Sequence, residues 1–303
     1  MRYIVTGAAG FIGSNLADTL VASGHEVVGV DCFTDYYNPA EKERNAHGLD
    51  MRRLDLAEDE LDLAGVDGVF HLAAQAGVRS FGDVFPVYVR RNLLATHRVF
   101  EAAAVAGVRV VFASSSSVYG EAESYPTSED ATPQPISPYG ITKLGCEQLA
   151  RAYAVGFGLD AVALRYFTVY GPRQRPDMSI HRLCTAALTG APFPRYGDGT
   201  QIREFTEVGD IVAGNLAAAD RDVAPGTYCN LAGGSEITLN DLIDLVAELA
   251  GAPIAVEAHD AQPGDSFRNG GAIDRARRVL GWQPQVALRD GLARQLAWHR
   301  SIA

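Results

Sequence analysis

The sequence predicts an α/β fold: a doubly wound parallel sheet over residues 1–170, then a smaller substrate-binding α/β part over 171–303. Three features point there. Short β-branched apolar runs alternate with helix-periodic segments through the first half. The runs lack the period-2 alternation of a sheet with one wet face. A glycine-rich turn joins the first run to the first helical segment. Crossover helices cover both faces of a parallel sheet, so its strands read as continuous apolar runs.

Taken in order, strands are expected at 3–6, 26–30, 68–72, 108–113 and 160–164, with another around the RRL of residues 52–54. Helices are expected at 12–23, 84–106 and 137–156, where apolar residues recur at helical spacing. Residues 124–138 read as an ordered Pro-rich loop. Beyond residue 170 the pattern loosens: Pro and Gly cluster at 190–200, with a strand expected at 191–196 and helices at 238–250 and 288–300. Some of these later segments are expected to return to the first domain.

Composition narrows the function. The chain has 303 residues, 47% of them hydrophobic, which suffices for a large core. A net charge of −11 without a basic cluster argues against nucleic acid and anionic membranes as partners. There is no run of membrane-span length, and the strand-like start leaves no place for a signal peptide. Cys32, Cys146, Cys184 and Cys229 are scattered with no C-x-x-C pair, as expected for reduced thiols in a cytoplasmic protein. The seven histidines show no ligand spacing, so no metal site is expected. Of 26 basic residues only Lys42 and Lys143 are lysines, which makes each lysine's position informative.

"VTGAAGFIGSNLA" (5–17) sets Gly7, Gly10 and Gly13 between a strand and a helix. Glycines there let the backbone turn tightly and approach a pyrophosphate, while the helix N-terminus offers free N–H groups. The spacing is G-x-x-G-x-x-G rather than G-x-G-x-x-G. Its place after a strand and before a helix marks a Rossmann-type nucleotide site. Asp31 closes the second strand, where a carboxylate can accept hydrogen bonds from an adenosine ribose and repel a 2′-phosphate; NAD is therefore expected over NADP. Asp55 reads equally as a residue near the adenine or as a solvated loop aspartate; it is counted with Phe11, Ile12, Leu56 and Ala73 among the expected cofactor residues.

"SPYGITK" (137–143) brings Tyr139 and Lys143 four residues apart at a helix start, on one face. A cation beside a phenol favours the phenolate, so the tyrosine can act as a base. With twelve tyrosines and two lysines in the chain, chance supplies only roughly 0.08 such pairs.

"TGAAGFIG", "HLAAQAGVR", "SSSSVYG", "SPYGITK" and "LRYFTVYGP" occur in this order, and together they resemble an extended short-chain dehydrogenase/reductase. The resemblance spans the whole chain. It is nearest to the NAD-dependent nucleotide-sugar epimerases that act on UDP-glucuronate or UDP-glucose. It implies a catalytic set of Ser115, Tyr139 and Lys143, tightly held NAD, a UDP-sugar substrate and a homodimer built on helices 84–106 and 137–156, whose apolar residues such as Val99 and Leu149 serve either that interface or the monomer core. Ser115 is indicated because it lies four residues before Tyr119 of V-Y-G, and Ser114 is expected to serve as a strand-end backbone partner. Ser116 and Ser117 stand where related 4,6-dehydratases carry an Asp-Glu pair; related UDP-glucuronate decarboxylases carry Glu at the second of these positions. Hydroxyls there favour epimerisation, which needs no further acid or base.

The same resemblance implies Arg203 on the diphosphate, Asp265 near the uridine ribose and Tyr196 beside the uracil. It marks Arg79, Ser116, Thr168 and Arg175 for the substrate, with Thr168, on the uracil or sugar side, standing where many sugar epimerases carry Asn and glucuronate-type members carry Thr. Arg175, in "GPRQRPDM", is expected to grip a C6 carboxylate with two prongs. The competing readings are a UDP-glucuronate decarboxylase, a UDP-glucose 4-epimerase and a catalytically inert NAD sensor. Survival of Ser115, Tyr139 and Lys143 weighs against the last.

Overall fold

The computed structural model describes residues 1–78, 81–220, 223–261 and 267–302. The chain opens with β1 (Arg2–Thr6), α1 (Phe11–Ala22), β2 (Glu26–Asp31), α2 (Pro39–Asn45), β3 (Asp50–Arg53) and β4 (Gly68–His71). A continuous helical stretch follows, in which α3 (Phe85–Tyr88) passes through a π-helical segment, Val89–Leu94, into α4 (Ala95–Ala106). Next come β5 (Arg109–Ser115), α5 (Pro138–Phe157), β6 (Ala161–Tyr166), β7 (Val169–Tyr170) and α6 (Ser179–Thr189). The second half adds β8 (Phe193–Tyr196), β9 (Ile202–Glu204), β10 (Thr206–Glu207), α7 (Val208–Asp220), β11 (Thr227–Leu231) and β12 (Glu236–Thr238). It ends with α8 (Leu239–Ala250), β13 (Val256–His259), β14 (Arg268–Asn269), α9 (Asp274–Leu280) and α10 (Leu288–Ile302).

Seven strands form one sheet in the order β11-β6-β5-β4-β1-β2-β3, every neighbouring pair parallel. Adjacent residues of each strand enter opposite cores. Val5, Val27, Phe70 and Val111 pack under α1, α7 and α9, while Ile4, Val28, Val69 and Val110 pack under α4 and α5. This two-sided burial is why the runs show no alternation. The chain starts at β1, winds out to β3 and returns to β4 on the other side of β1, which opens a crevice at the carboxyl ends of β1 and β4.

β11, from the second half of the chain, extends this sheet by pairing with β6. The remaining short strands form a β10-β7 pair, a β12-β9-β14 group and a β13-β8 pair, the last two beside α6, α8 and α10, whose core includes Leu183, Leu242 and Leu296. The expected strand at 191–196 is β8. The segment expected as an ordered loop is pinned at Thr127, whose N–H donates to Gly270 O at 2.8 Å and whose carbonyl accepts from Ala272 N at 2.9 Å.

One detail differs from expectation: β5 runs on to Ser115 because Ser114 and Ser115 pair with Arg165 and Tyr166 of β6. Of the two places open to Val99 and Leu149, subunit interface or core, both side chains pack into the chain's own core. The stretch 84–106 is helical throughout, but its π-helical turn aims Asn92 inward. There the Asn92 amide accepts from Gln75 N (2.7 Å) and donates to Thr142 Oγ1 (3.0 Å), tying the segment to α5. No helix among the described residues is long and apolar enough to cross a membrane.

Candidate active site

Gly7 leaves β1 with φ +70°, and its N–H donates to Val30 O at 2.7 Å, tying the loop to β2. At Gly13 a Cβ would lie 2.1 Å from Gly7 O, so only glycine lets helix and loop approach this closely. Gly10 caps α1 with no side chain over the helix start. The first-turn N–H groups therefore face the crevice, as a bound phosphate requires. At the end of β2 the Asp31 carboxylate accepts from Phe33 N (2.8 Å) and Ala9 N (3.2 Å). Burial pushes its pKa up, opposed by the Phe33 N–H and the Lys42 cation.

These groups line a cavity of about 200 Å³ that Asp55, Leu56, Ala73, Tyr139 and Lys143 also border. Every residue expected at the cofactor thus lines one space. Glycine cradle, bare helix terminus and strand-end carboxylate fit a dinucleotide. Asp55 itself is paired with Arg90 at 2.8 Å.

The catalytic candidates meet where this cavity opens into a second of about 620 Å³. Ser137 caps α5 by accepting from Gly140 N at 3.1 Å, and Pro138 starts the first turn, which sets Tyr139 at the mouth. Tyr139 borders both cavities, and the neighbouring Ser115 hydroxyl opposes the rise in its pKa. Ser115 also donates to Ser117 Oγ at 3.1 Å.

Lys143 is buried, donates to Ala113 O at 2.8 Å and has its Nζ 5.8 Å from the Tyr139 ring centre. Burial lowers its pKa to about 8, against the pull of Cys146 and Glu147. Burial also raises the pKa of Tyr139, and the Arg175 charge opposes this. Lys143 and Arg175 thus bring two cations to the cavity that Tyr139 borders, Lys143 with one N–H on a backbone carbonyl.

Ser114 pairs at the end of β5, as expected of a strand-end backbone partner, and its hydroxyl also donates to Glu147 Oε1 at 2.5 Å. Glu147 in turn holds Arg165 through Nε (2.8 Å) and Nη2 (2.6 Å), and Arg165 Nη1 donates to Tyr119 Oη at 2.8 Å. A buried ion pair thus braces the strand that carries Ser115.

Ser115, Ser116, Thr168, Arg175, Tyr196 and Arg203 all line the larger cavity. Arg203 donates to the carbonyls of Ile202 (2.9 Å) and Phe267 (3.1 Å), and Tyr196 lies 5.3 Å from the His259 ring. Ser116 Oγ faces Asn269 Nδ2 at 3.5 Å. Arg175 also borders the cofactor cavity, and on the larger cavity's side Asp177 holds it in a two-pronged pair, Nε–Oδ1 and Nη2–Oδ2 both 3.0 Å. Arg79 and Asp265 lie outside the described residues.

Sequence reading missed several lining residues: Tyr36, Lys42 and Arg91 on the cofactor side, Asp177 and Asn269 on the other. Lys42 carried a signal in being one of two lysines, and both lysines line the same cavity. Asp177 carried none, because its role depends on Arg175 turning back toward it.

A sequence model described as the NAD dependent epimerase/dehydratase family matches residues 3–232. The crystal structure of UDP-glucuronic acid 4-epimerase from Bacillus cereus, in complex with UDP-glucuronic acid and NAD, is similar with a TM-score of 0.96 and 37% identity over 100% of both chains. MoeE5 in complex with UDP-glucuronic acid and NAD gives a TM-score of 0.91 and 44% identity, again over 100% of both chains. UDP-glucose 4-epimerase of Mycolicibacterium smegmatis is 38% identical over 313 residues, covering 99% of this chain and 99% of that protein. The family pattern runs through most of the sequence and its solved relatives overlay from end to end, so this chain belongs to the NAD-dependent epimerase/dehydratase family and is an enzyme.

Proposed function

We propose that the protein is an NAD-dependent 4-epimerase of UDP-hexoses and that its substrate is UDP-glucuronate, converted to UDP-galacturonate. The observation that carries this reading is that Tyr139 and Arg175 both border the junction of the two cavities, with serines at 116 and 117 in place of carboxylates. A base and a fixed cation then face the same sugar, and no acid–base pair for water elimination is at hand. The solved Bacillus cereus relative, which holds UDP-glucuronic acid, supports the assignment.

In this reading Gly7, Gly10, Phe11, Ile12 and Gly13 hold the pyrophosphate, Asp31 the adenosine ribose, and Asp55, Leu56 and Ala73 the adenine side and cavity wall. Bound NAD supplies a reversible hydride acceptor for C4. Tyr139 takes the C4 hydroxyl proton, with Ser115 hydrogen-bonded to the reacting oxygen and the Lys143 and Arg175 cations favouring the phenolate. Tyr139 returns the proton after the 4-keto sugar has turned. Arg203 and Asp265 take the diphosphate and uridine ribose, Tyr196 the uracil side, and Arg79, Ser116, Thr168 and Arg175 the sugar. Residues 1–170, with β11, α7 and α9, make the cofactor domain, and most of 171–303 makes the sugar-nucleotide domain.

The deciding experiment is NMR of the products formed from UDP-glucuronate, UDP-glucose and UDP-N-acetylglucosamine. Galacturonate without solvent deuterium at C4 in heavy water is expected, and a pentose product would replace the epimerase by a decarboxylase. One observation favours a second reading, a UDP-glucose 4-epimerase: Arg175 already has a carboxylate partner in Asp177. UDP-glucose turned over in preference to UDP-glucuronate would establish it.

Lys143 must carry its proton to favour the phenolate, and burial holds that proton only up to about pH 8. The profile of kcat/KM is therefore expected to turn down above that pH. A profile level to about pH 9.5 would leave Arg175 as the sole activating charge.

Two further parts of the proposal concern setting. Four free thiols, three of them buried, suit a reducing cytoplasmic compartment. A homodimer across α4 and α5 is supported by apolar side chains left outside the core, Val105 at 88%, Val155 at 85% and Phe157 at 71% exposure. Val155→Glu combined with Phe157→Glu is expected to convert a dimer to a monomer in light scattering. An unchanged mass would move the interface elsewhere.

A further inference from the structure

The pair Arg175–Asp177 poses a charge problem for the site. Both prongs of the Arg175 fork that face Asp177, Nε and Nη2, are used at 3.0 Å. Two donors on one edge of a guanidinium are also what a substrate carboxylate would seek. Asp177 itself is held from the cofactor side. Tyr36, in the segment between β2 and α2, donates from Oη to Asp177 Oδ2 at 3.4 Å, and the Arg175 guanidinium lies 6.0 Å from the Tyr36 ring centre. Asp177 lines the larger cavity, and its side chain is 40% exposed against 22% for Arg175. A pair this wet adds little to stability, so its effect falls on whatever charge enters the cavity.

We propose that Asp177 is a specificity-determining residue: an internal carboxylate that occupies the Arg175 fork and sets how strongly the site prefers an anionic hexose over a neutral one. This rests on the reading that Arg175 faces the C6 substituent. With a neutral hexose, Asp177 keeps the cation paired beside Tyr139. A uronate must either displace Asp177 from the fork or bind Arg175 next to a like charge, and each alternative lowers its advantage. The enzyme then accepts uncharged hexoses that an unpaired Arg175 would reject, because a sugar seated over the cation takes it out of water and a cation so covered without a partner is costly.

The test measures binding, so that it does not depend on turnover. NAD-loaded full-length protein carrying Tyr139→Phe, which prevents conversion, is titrated calorimetrically with UDP-glucuronate and with UDP-glucose. Adding Asp177→Asn is expected to raise the UDP-glucuronate to UDP-glucose affinity ratio about tenfold, whereas Asp177→Glu keeps it within about twofold. In an Arg175→Met background Asp177→Asn is expected to leave the ratio unchanged, since the fork is gone. Asp177→Ser is the second neutral replacement if the Asn variant folds poorly. A ratio that stays constant or falls in the neutral variants overturns the proposal, as does a rise that persists without Arg175. Absence of galacturonate from the unmodified enzyme would overturn the proposed reaction instead, and the ratio would still decide the role of Asp177.

Discussion

Tyr139→Phe is expected to lower kcat about a thousandfold while NAD stays bound and the fold is intact. The side chain borders both cavities and meets Ser115, so removing one oxygen takes away the proton acceptor without leaving a void. Lys143 cannot substitute, because its ammonium is held by Ala113 O at 2.8 Å. Product formation by NMR together with NAD released on denaturation checks both halves. Activity within about tenfold of the unmodified enzyme would remove Tyr139 from the role of base.

The largest expected loss of stability comes from Glu147→Ala. The Arg165 and Glu147 side chains are 2% and 5% exposed, and Arg165 is further enclosed by the Tyr119 and Tyr228 rings at 4.8 and 4.2 Å. Removing the carboxylate strands a cation that cannot reach water and also deprives Ser114 of its acceptor. Breaking such a pair costs about 3–5 kcal/mol, on the order of 10 °C in Tm for a chain of this size. Thermal melts of the single variant and of Glu147→Met with Arg165→Met separate the causes. The double variant is expected to be milder, since no charge is left uncompensated. A single variant within about 2 °C of the unmodified protein would show that the network braces β5 without supporting the fold.

Much of the site was legible because its chemistry is local. Gly7, Gly10 and Gly13 act through the turn they build themselves, and Tyr139 and Lys143 share a helix face because they are four residues apart. Ser115 was indicated only through the family resemblance, by its place four residues before Tyr119. The parallel sheet was legible because two-sided burial leaves its mark on every strand.

What escaped depends on partners far apart in sequence. Tyr36 reaches Asp177 across 141 residues, and Lys42 joins the cofactor cavity only because α2 folds back over the crevice. The place of β11 as the outer strand was hidden because its five residues resemble any short strand until β6 offers an edge. Local spacing in the sequence determined the sheet, the nucleotide loop and the sharing of one helix face by Tyr139 and Lys143, since backbone geometry converts short intervals directly into proximity. Only the tertiary structure decided which distant groups meet. It gave Lys143 to the Ala113 carbonyl, Tyr36 to Asp177 and Glu147 to Arg165, because burial makes each polar group take the partner that packing brings within reach.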